Sequence, residues 1–347
     1  MDLCVEYIIA ICIICVCIYI RVYVHYAYML FELNDLSPYV GPIRSDQSIF
    51  VSIASYRDRK CSMTVRSILK NATYPNLVFL GICQQNDHDL DDECISENQA
   101  TNNIRIVKLD YTKAKGPCYA RYLCSCMYRG ETYYVQIDSH TVFTPGWDTA
   151  LTQMMERLPH HSVISHYPQP INIETFETEQ AREHSIPVIC GVNYENDTIT
   201  FKGLEVNKDA LQSTVPNINI GASGGFLCMP GEAVQLVPFD PNLDMLFQGE
   251  EILYSARLFT NGFDFYPPSK NLVYHYYDRK EEPKFWNDIK KKPEHDPKKI
   301  VMSLLKYETT YPDNYGLGNV RSVYEYWELL GYDFENNEIY KNTCNTI

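Results

Sequence analysis

Positive charge is what this chain is short of: 30 lysines and arginines stand against 44 aspartates and glutamates, leaving a formal charge of −14. A general nucleic-acid binder needs a basic footprint to displace counterions from phosphates, so that class is excluded and any phosphate site must be local. Paired cysteine motifs are scarce too: Cys12-Ile13-Ile14-Cys15 is a C-x-x-C by letter but reads as filler in an apolar helix. Cys4, Cys12, Cys15 and Cys17 fall in an N-terminal apolar stretch, and the nine other cysteines show no paired C-x-x-C spacing, which removes a zinc ribbon. An odd set of nine cannot all pair within one molecule, and buried free thiols are the expectation. No repeat or low-complexity block occurs. Apolar residues, by contrast, make up 45% of the 347, ample for the one continuous sheet that α/β enzymes of roughly 250–300 residues build.

Ile8 to Ile20 is an unbroken apolar run, and Leu3 to Val24 admits only Glu6 and Arg21 as charges. About 20 apolar residues span a bilayer core, so residues 1–24 read as a transmembrane helix, a single-pass anchor to an ER/Golgi-type or other intracellular membrane. A cleaved signal peptide is the rival, but no basic region precedes the run and no small-residue cleavage site follows it. Arg21 beyond the run puts the bulk of the chain on the cytoplasmic side by the positive-inside tendency. Asn71-Ala72-Thr73 and Asn196-Asp197-Thr198 are glycosylation sequons if the domain is lumenal, and the orientation stays open.

Residues 25–47, with Pro38, Gly41 and Pro42, read as a stem. Ser48 to Ala54 is a continuous apolar run suited to a strand buried on both faces of a parallel sheet. A helix over Cys61–Lys70, strands at Leu77–Cys83 and Ile104–Leu109, and a helix from Pro117 to Tyr128 follow, then a strand at Tyr133–Ile137, a helix to Arg157 and a strand at Ser162–Tyr167. That order predicts an α/β fold with a mostly parallel sheet flanked by helices, over residues 48–280. Residues 169–213 have weak periodicity and predict a less regular subregion with short strands near Val188–Val192 and Ile199–Phe201. A helix through Phe259 and strands at Phe263–Tyr266 and Leu272–Tyr276 precede a C-terminal helical extension, 281–347.

Ligands in open sheets of this kind sit beyond the carboxyl ends of the strands, where Ser55-Tyr56-Arg57-Asp58 and Asp138-Ser139-His140 fall. Asp138 and His140, two apart on an extended backbone, project to one side. One carboxylate and one imidazole suit a hard or borderline divalent cation whose shell diphosphate oxygens complete. His275, interrupting an apolar strand, is the candidate third ligand. Capping of a strand end is the rival role for Asp138 and His140. Arg121 is equally a surface ion-pair residue, and Glu250 and Glu251 are equally first-turn helix charges.

Ile49 to Asp58, Gly81-Ile82-Cys83-Gln84-Gln85, Ala120-Arg121, Asp138-Ser139-His140-Thr141, Phe247-Gln248-Gly249-Glu250-Glu251 and Val273 to Tyr277 occur in that order. Together they resemble the UDP-GlcNAc-dependent polypeptide glycosyltransferases that include the enzyme adding GlcNAc to hydroxyproline of Skp1, and more distantly the polypeptide GalNAc transferases. The resemblance covers about residues 49–279 and implies a GT-A fold, a Rossmann-like nucleotide-sugar half merging into an acceptor half, with retention of anomeric configuration. It implies further that Ser55, Arg57 and Asp58 line a uridine pocket and that Arg121 approaches the diphosphate. Asp138, His140 and His275 would hold Mn²⁺ or Mg²⁺, Gly224 and Gly225 would let the backbone approach the sugar of UDP-GlcNAc, and Glu250 or Glu251 would meet sugar hydroxyls or the reacting centre. The acceptor, a protein or glycan, would lie against loops such as 169–213 and 281–299. A membrane anchor departs from the cytosolic Skp1-type enzyme.

Two other readings compete. Gly221-Ala222-Ser223-Gly224-Gly225 matches G-x-S-x-G with Asp240, Asp264 and His275 following in α/β-hydrolase order, but Phe226 to Met229 continues as a strand-like run where a helix must begin. A non-catalytic carbohydrate- or protein-binding module is the other, and the joint presence of Asp138, His140 and His275 counts against it.

Overall fold

A computed structural model of the protein describes residues 29–95, 102–172, 184–211, 213–290, 293–307, 311 and 314–346. The expected anchor over residues 1–24 lies outside these, and among the described residues no helix is long and apolar enough to cross a membrane.

Strand β1 (Met29–Phe31) precedes β2 (Ile49–Tyr56), helix α1 (Cys61–Asn71), β3 (Val78–Asn86) and β4 (Ile104–Asp110). Helix α2 (Pro117–Ser125) leads to β5 (Tyr133–Asp138), β6 (Thr141–Phe143), α3 (Trp147–Glu156), β7 (Ser162–Ser165) and β8 (Gln169–Pro170). Next come β9 (Ser185–Glu195), β10 (Thr198–Asn207), β11 (Phe226–Pro230), the one-turn helix α4 (Ala233–Leu236) and α5 (Glu250–Thr260). The chain ends with β12 (Asp264–Tyr266), β13 (Val273–His275), α6 (Phe285–Asp288), α7 (Pro297–Leu305), α8 (Val323–Leu330), β14 (Tyr332–Asp333) and β15 (Glu338–Ile339).

Eight strands form the central sheet in the order β1-β4-β3-β2-β5-β11-β7-β12. Every neighbouring pair is parallel except those of β11, which runs antiparallel to β5 and β7. The strand β2 shows why its sequence reads as a continuous apolar run. Ile49, Val51 and Ile53 enter one core with Val65 and Ile68 of α1 and Leu151 of α3, while Phe50 enters the core on the other face with Leu123 of α2. Alternate side chains thus feed both layers of helices. On α1 the buried set Cys61, Thr64, Val65 and Ile68 has the spacing of a single helical stripe.

Three findings differ from expectation. The described part of residues 25–47 docks: β1 extends the sheet edge beside β4, and Tyr39 meets Tyr128 edge-on at 5.8 Å. Residues 185–207 form one long hairpin, β9 with β10, whose register shifts at Lys202/Gly203. Such a bulge breaks the period-2 alternation by which a strand is recognised. The free-thiol expectation is corrected as well, because Cys61 pairs with Cys94 and Cys190 with Cys344. Both bonds join segments remote in sequence, which spacing cannot reveal. Cys83, Cys118, Cys124, Cys126 and Cys228 remain free and buried.

The C-terminal helices pack onto α5 rather than trailing away. Tyr326 and Leu330 of α8 share a core with Phe259, and the Tyr326 hydroxyl donates to Ile220 O at 3.1 Å.

Candidate active site

Register brings the site together. In the parallel pairing of β2 with β5, Ala54 lies opposite Asp138, so the carboxyl ends of both strands open on one edge. Antiparallel β11 starts at that edge, with Phe226 opposite Ile137, which sets Gly224 and Gly225 beside Asp138. A small second sheet, β6-β13-β8, pairs His275 with Thr141 and carries the late histidine back to the D-S-H turn. Above this edge opens a cavity of about 450 Å³, bordered by Asp138, His140, Arg121, Gly224 and Glu250 among others. That size suits a small-molecule ligand.

Asp138, His140 and His275 converge: one donor atom from each lies within 4.8 Å of the others. His275 Nε2 is 3.0 Å from Asp138 Oδ2, and the His140 and His275 rings meet edge-on with centroids 4.5 Å apart. Asp58 stands behind His140. Its Oδ2 is 2.7 Å from His140 Nδ1 and accepts from Ser139 Oγ at 2.6 Å, and Arg279 approaches the same oxygen at 3.5 Å. Burial works against ionisation of Asp58, but the His140 contact, Arg279 and Ser139 outweigh it and hold its carboxyl well below the usual range. A carboxylate on Nδ1 sets the ring orientation and leaves Nε2 as the ligating nitrogen, the outer-sphere arrangement of metal-binding histidines. Burial likewise opposes the charge of Asp138, and its hydrogen bond to His275, with His140 and Arg121 nearby, keeps it low. The donor set of one carboxylate and two imidazoles therefore fits a divalent cation of Mn²⁺ type better than Mg²⁺, which prefers an all-oxygen shell.

A second group of side chains fixes the cavity floor. Gly249 adopts φ 98°, a conformation glycine reaches without strain, and turns the chain into α5 so that Glu250 and Glu251 open the helix. Glu251 Oε1 accepts from Gly224 N at 2.6 Å, and its Oε2 accepts from the Tyr167 hydroxyl at 2.5 Å. Gln136 donates to Gly224 O at 2.9 Å, so the backbone of Gly224 is held at both its N–H and its carbonyl. A Cβ on Gly224 would stand 2.4 Å from Arg121 Nη2, so the glycine admits the guanidinium. Arg121 Nη1 lies 3.4 Å from Glu250 Oε1. Burial, followed for Glu250 by the balance of Arg121 against the neighbouring Glu251, raises both carboxyls above the ordinary glutamate value.

The first-strand residues are arranged differently from the set named in the sequence. Tyr56 and Gln85 border the cavity, whereas Ser55 is buried below it and Asp58 serves His140. Arg57 turns outward to Asp91 at 2.8 Å and Asp288 at 3.1 Å. The positive φ of 47° at Arg57 produces this turn, so neighbouring side chains no longer alternate as in a strand. Tyr167 and Gln136 escaped the sequence reading; Gln136 lies on β5 and Tyr167 just past the end of β7, and their place at this edge is the signal that could have found them. The serine-hydrolase constellation does not form. Ser223 Oγ donates to His166 O at 2.7 Å, His275 is turned to Asp138, and strand β11 follows in place of a helix.

Comparison with known proteins fits this geometry. GalNAc-T7 in complex with UDP, GalNAc and Mn²⁺ is similar with a TM-score of 0.52 at 13% identity, over 86% of this chain and 56% of that one, so the chain spans little more than half of that protein. The S. aureus TarS fragment 1–349 in complex with UDP-GlcNAc is similar with a TM-score of 0.52 at 14% identity, over 84% of this chain and 72% of that one. At such identities the likeness is one of fold, an α/β GT-A-like architecture with a mostly parallel central sheet. No curated protein matches the sequence. Residues 48–103 and 95–336, however, match the family model described as Glycosyltransferase (GlcNAc). That span runs from β2 past α8 and includes the acid-histidine turn, the paired glutamates and His275: the chain belongs to the GlcNAc glycosyltransferase family.

Proposed function

We propose that this glycosyltransferase moves GlcNAc, or a related HexNAc, from a UDP-sugar to a hydroxyl of a protein or glycan acceptor, with retention of configuration and with a divalent cation held by Asp138, His140 and His275. The observation that carries the reading is the convergence of those three side chains at the cavity edge, with Asp58 fixing His140 from behind. When bound, Mn²⁺ would supply positive charge against the diphosphate that departs as the sugar bond breaks. Arg121 adds a second fixed charge, pre-oriented by Glu250 in a partly desolvated cavity where such charge counts most. Gly224 and Gly225 offer backbone without side-chain bulk to the sugar, and Glu251 keeps the Gly224 N–H in place. Glu250 and Glu251 face the same cavity and are the groups we assign to the sugar hydroxyls or the reacting centre. Tyr56 at the end of β2 and Gln85 on the neighbouring β3 join Ser55 and Arg57 as candidates near the nucleoside, and of these Tyr56 and Gln85 border the cavity. The order of the motifs supports a chemistry like that of the Skp1-type polypeptide transferases.

UDP-GlcNAc turnover with and without Mn²⁺ tests this assignment. Hydrolysis that EDTA abolishes and added Mn²⁺ restores is expected; tight UDP-GlcNAc binding with no turnover would instead mark a binding module. Asp58→Asn gives a finer result. It leaves the three donors in place but weakens the hold on His140, so half-maximal activity should need roughly 10–100-fold more Mn²⁺, with the rate at saturating Mn²⁺ little changed.

Residues 1–24 are proposed as a single-pass anchor, 25–47 as a stem, 48–280 as the catalytic unit and 281–347 as its helical extension. The disulfides Cys61–Cys94 and Cys190–Cys344 favour the lumenal side for the catalytic unit, since such bonds persist in oxidising compartments. Asn196 is exposed at the tip of the β9–β10 hairpin, whereas the Asn71 amide donates to Phe143 O at 2.8 Å. Expressed in a eukaryotic secretory host, the protein should therefore lose an endoglycosidase-sensitive mass shift in Asn196→Gln and keep it in Asn71→Gln. A protein without N-glycan in both backgrounds would argue for the cytoplasmic orientation.

A further inference from the structure

At the end of the sheet away from the donor cavity, two turns bring a second set of ligand-type side chains together. His160 and His161 lie between α3 and β7, and Glu232 lies between β11 and α4. Because β11 runs antiparallel to β7, the exit of one strand neighbours the entrance of the other. His160 Nδ1 is 3.1 Å and His161 Nε2 is 3.3 Å from the same oxygen, Glu232 Oε1. That oxygen is shielded from solvent yet accepts no hydrogen bond, so the two rings crowd it without the alignment that donation requires. A carboxylate oxygen kept from water with no donor is unfavourable unless a cation meets it.

The spacing is that of a metal site. Zinc binds imidazole nitrogen and carboxylate oxygen at about 2.0–2.2 Å, which places tetrahedral ligand atoms roughly 3.3–3.6 Å apart. The His161 separation of 3.3 Å falls at the edge of this range, the His160 separation of 3.1 Å lies about 0.2 Å short of it, and all three atoms lie within 4.8 Å of one another. Both limbs are held by their backbones. Asp264 N donates to His161 O at 3.0 Å, Ser162 Oγ to Pro159 O at 2.6 Å, and Gly231 N to Thr132 O at 2.8 Å. Phe263 lies against the His161 ring with centroids 4.9 Å apart. We propose that His160, His161 and Glu232 bind a second divalent transition-metal ion, for which zinc suits the two imidazoles and one carboxylate, with the fourth position open to solvent. This ion is separate from the one at Asp138 and ties the entrance of β7 to the exit of β11.

Zinc bound per chain, measured by atomic emission after equilibrium dialysis of the full-length protein against ZnCl2, tests the site. The double variant His160→Ala/His161→Ala should hold one zinc fewer than wild type, with Mn²⁺-dependent UDP-GlcNAc hydrolysis within about twofold of wild type. ZnCl2 should also raise the unfolding temperature of the wild type and not of the variant. Equal zinc content in the two proteins overturns the proposal. Glu232→Gln, which keeps side-chain volume, covers the case in which the double variant folds poorly: Co²⁺ added to wild type should give the visible absorption of a four-coordinate nitrogen/oxygen site that this variant loses. Unchanged absorption in Glu232→Gln overturns it equally.

Discussion

Replacing Asp138 by alanine lowers Mn²⁺-dependent transfer from UDP-GlcNAc on the order of 10²–10³-fold, the cost of losing a fixed electrostatic contact in a desolvated site. Asp138 is the one carboxylate in the donor set, so its removal leaves two imidazoles to hold the cation. It also faces His275 at 3.0 Å, so the variant frees that ring to turn away. Its side chain reaches the cavity instead of filling a core, and thermal unfolding should change little. Asp138→Asn, which preserves volume, should lose nearly as much, because charge is the property removed. Ser223→Ala is the useful contrast: its hydroxyl serves His166 O and should leave turnover near wild type. Activity within tenfold of wild type for Asp138→Ala at saturating Mn²⁺ would sink the metal assignment.

The second large effect concerns stability. Cys190→Ser/Cys344→Ser should lower it by about 2–5 kcal/mol and the unfolding temperature by roughly 3–8 °C. The bond spans 154 residues of sequence, so in the chain-entropy account its loss releases a large unfolded ensemble. It also fastens the C-terminal tail to β9. Cys61–Cys94 closes 33 residues and should contribute less. Calorimetry under non-reducing conditions checks both; a double variant melting within a degree or two of wild type would show that the tail is held by packing alone.

Local pattern carried much of this into the sequence. β2 and β5 are legible because both faces are buried and the apolar run ends abruptly on polar residues. Asp138 and His140 are legible because a strand spacing of two puts them on one side, and His275 because it interrupts an apolar strand. The contact of Asp58 with His140 is not legible: a left-handed residue just before it reverses the chain, and no spacing rule follows a side chain round such a turn. The ion pairs of Arg57 with Asp91 and Asp288 are hidden by the same turn. The hairpin β9–β10 was hidden by its bulge, and the two disulfides and the His160–His161–Glu232 cluster depend on meetings between distant segments that no local window contains.

Strand β11 sets an order of events on the ribosome. It occupies the middle of the sheet, between β5 and β7, although both of those leave the exit tunnel long before residue 226. Until it arrives, a nascent chain exposes two open strand edges, and it still lacks the third histidine. The catalytic corner is thus among the last parts of the domain to become possible, and in a chain stopped short of residue 226 the edges of β5 and β7 are open to pairing elsewhere.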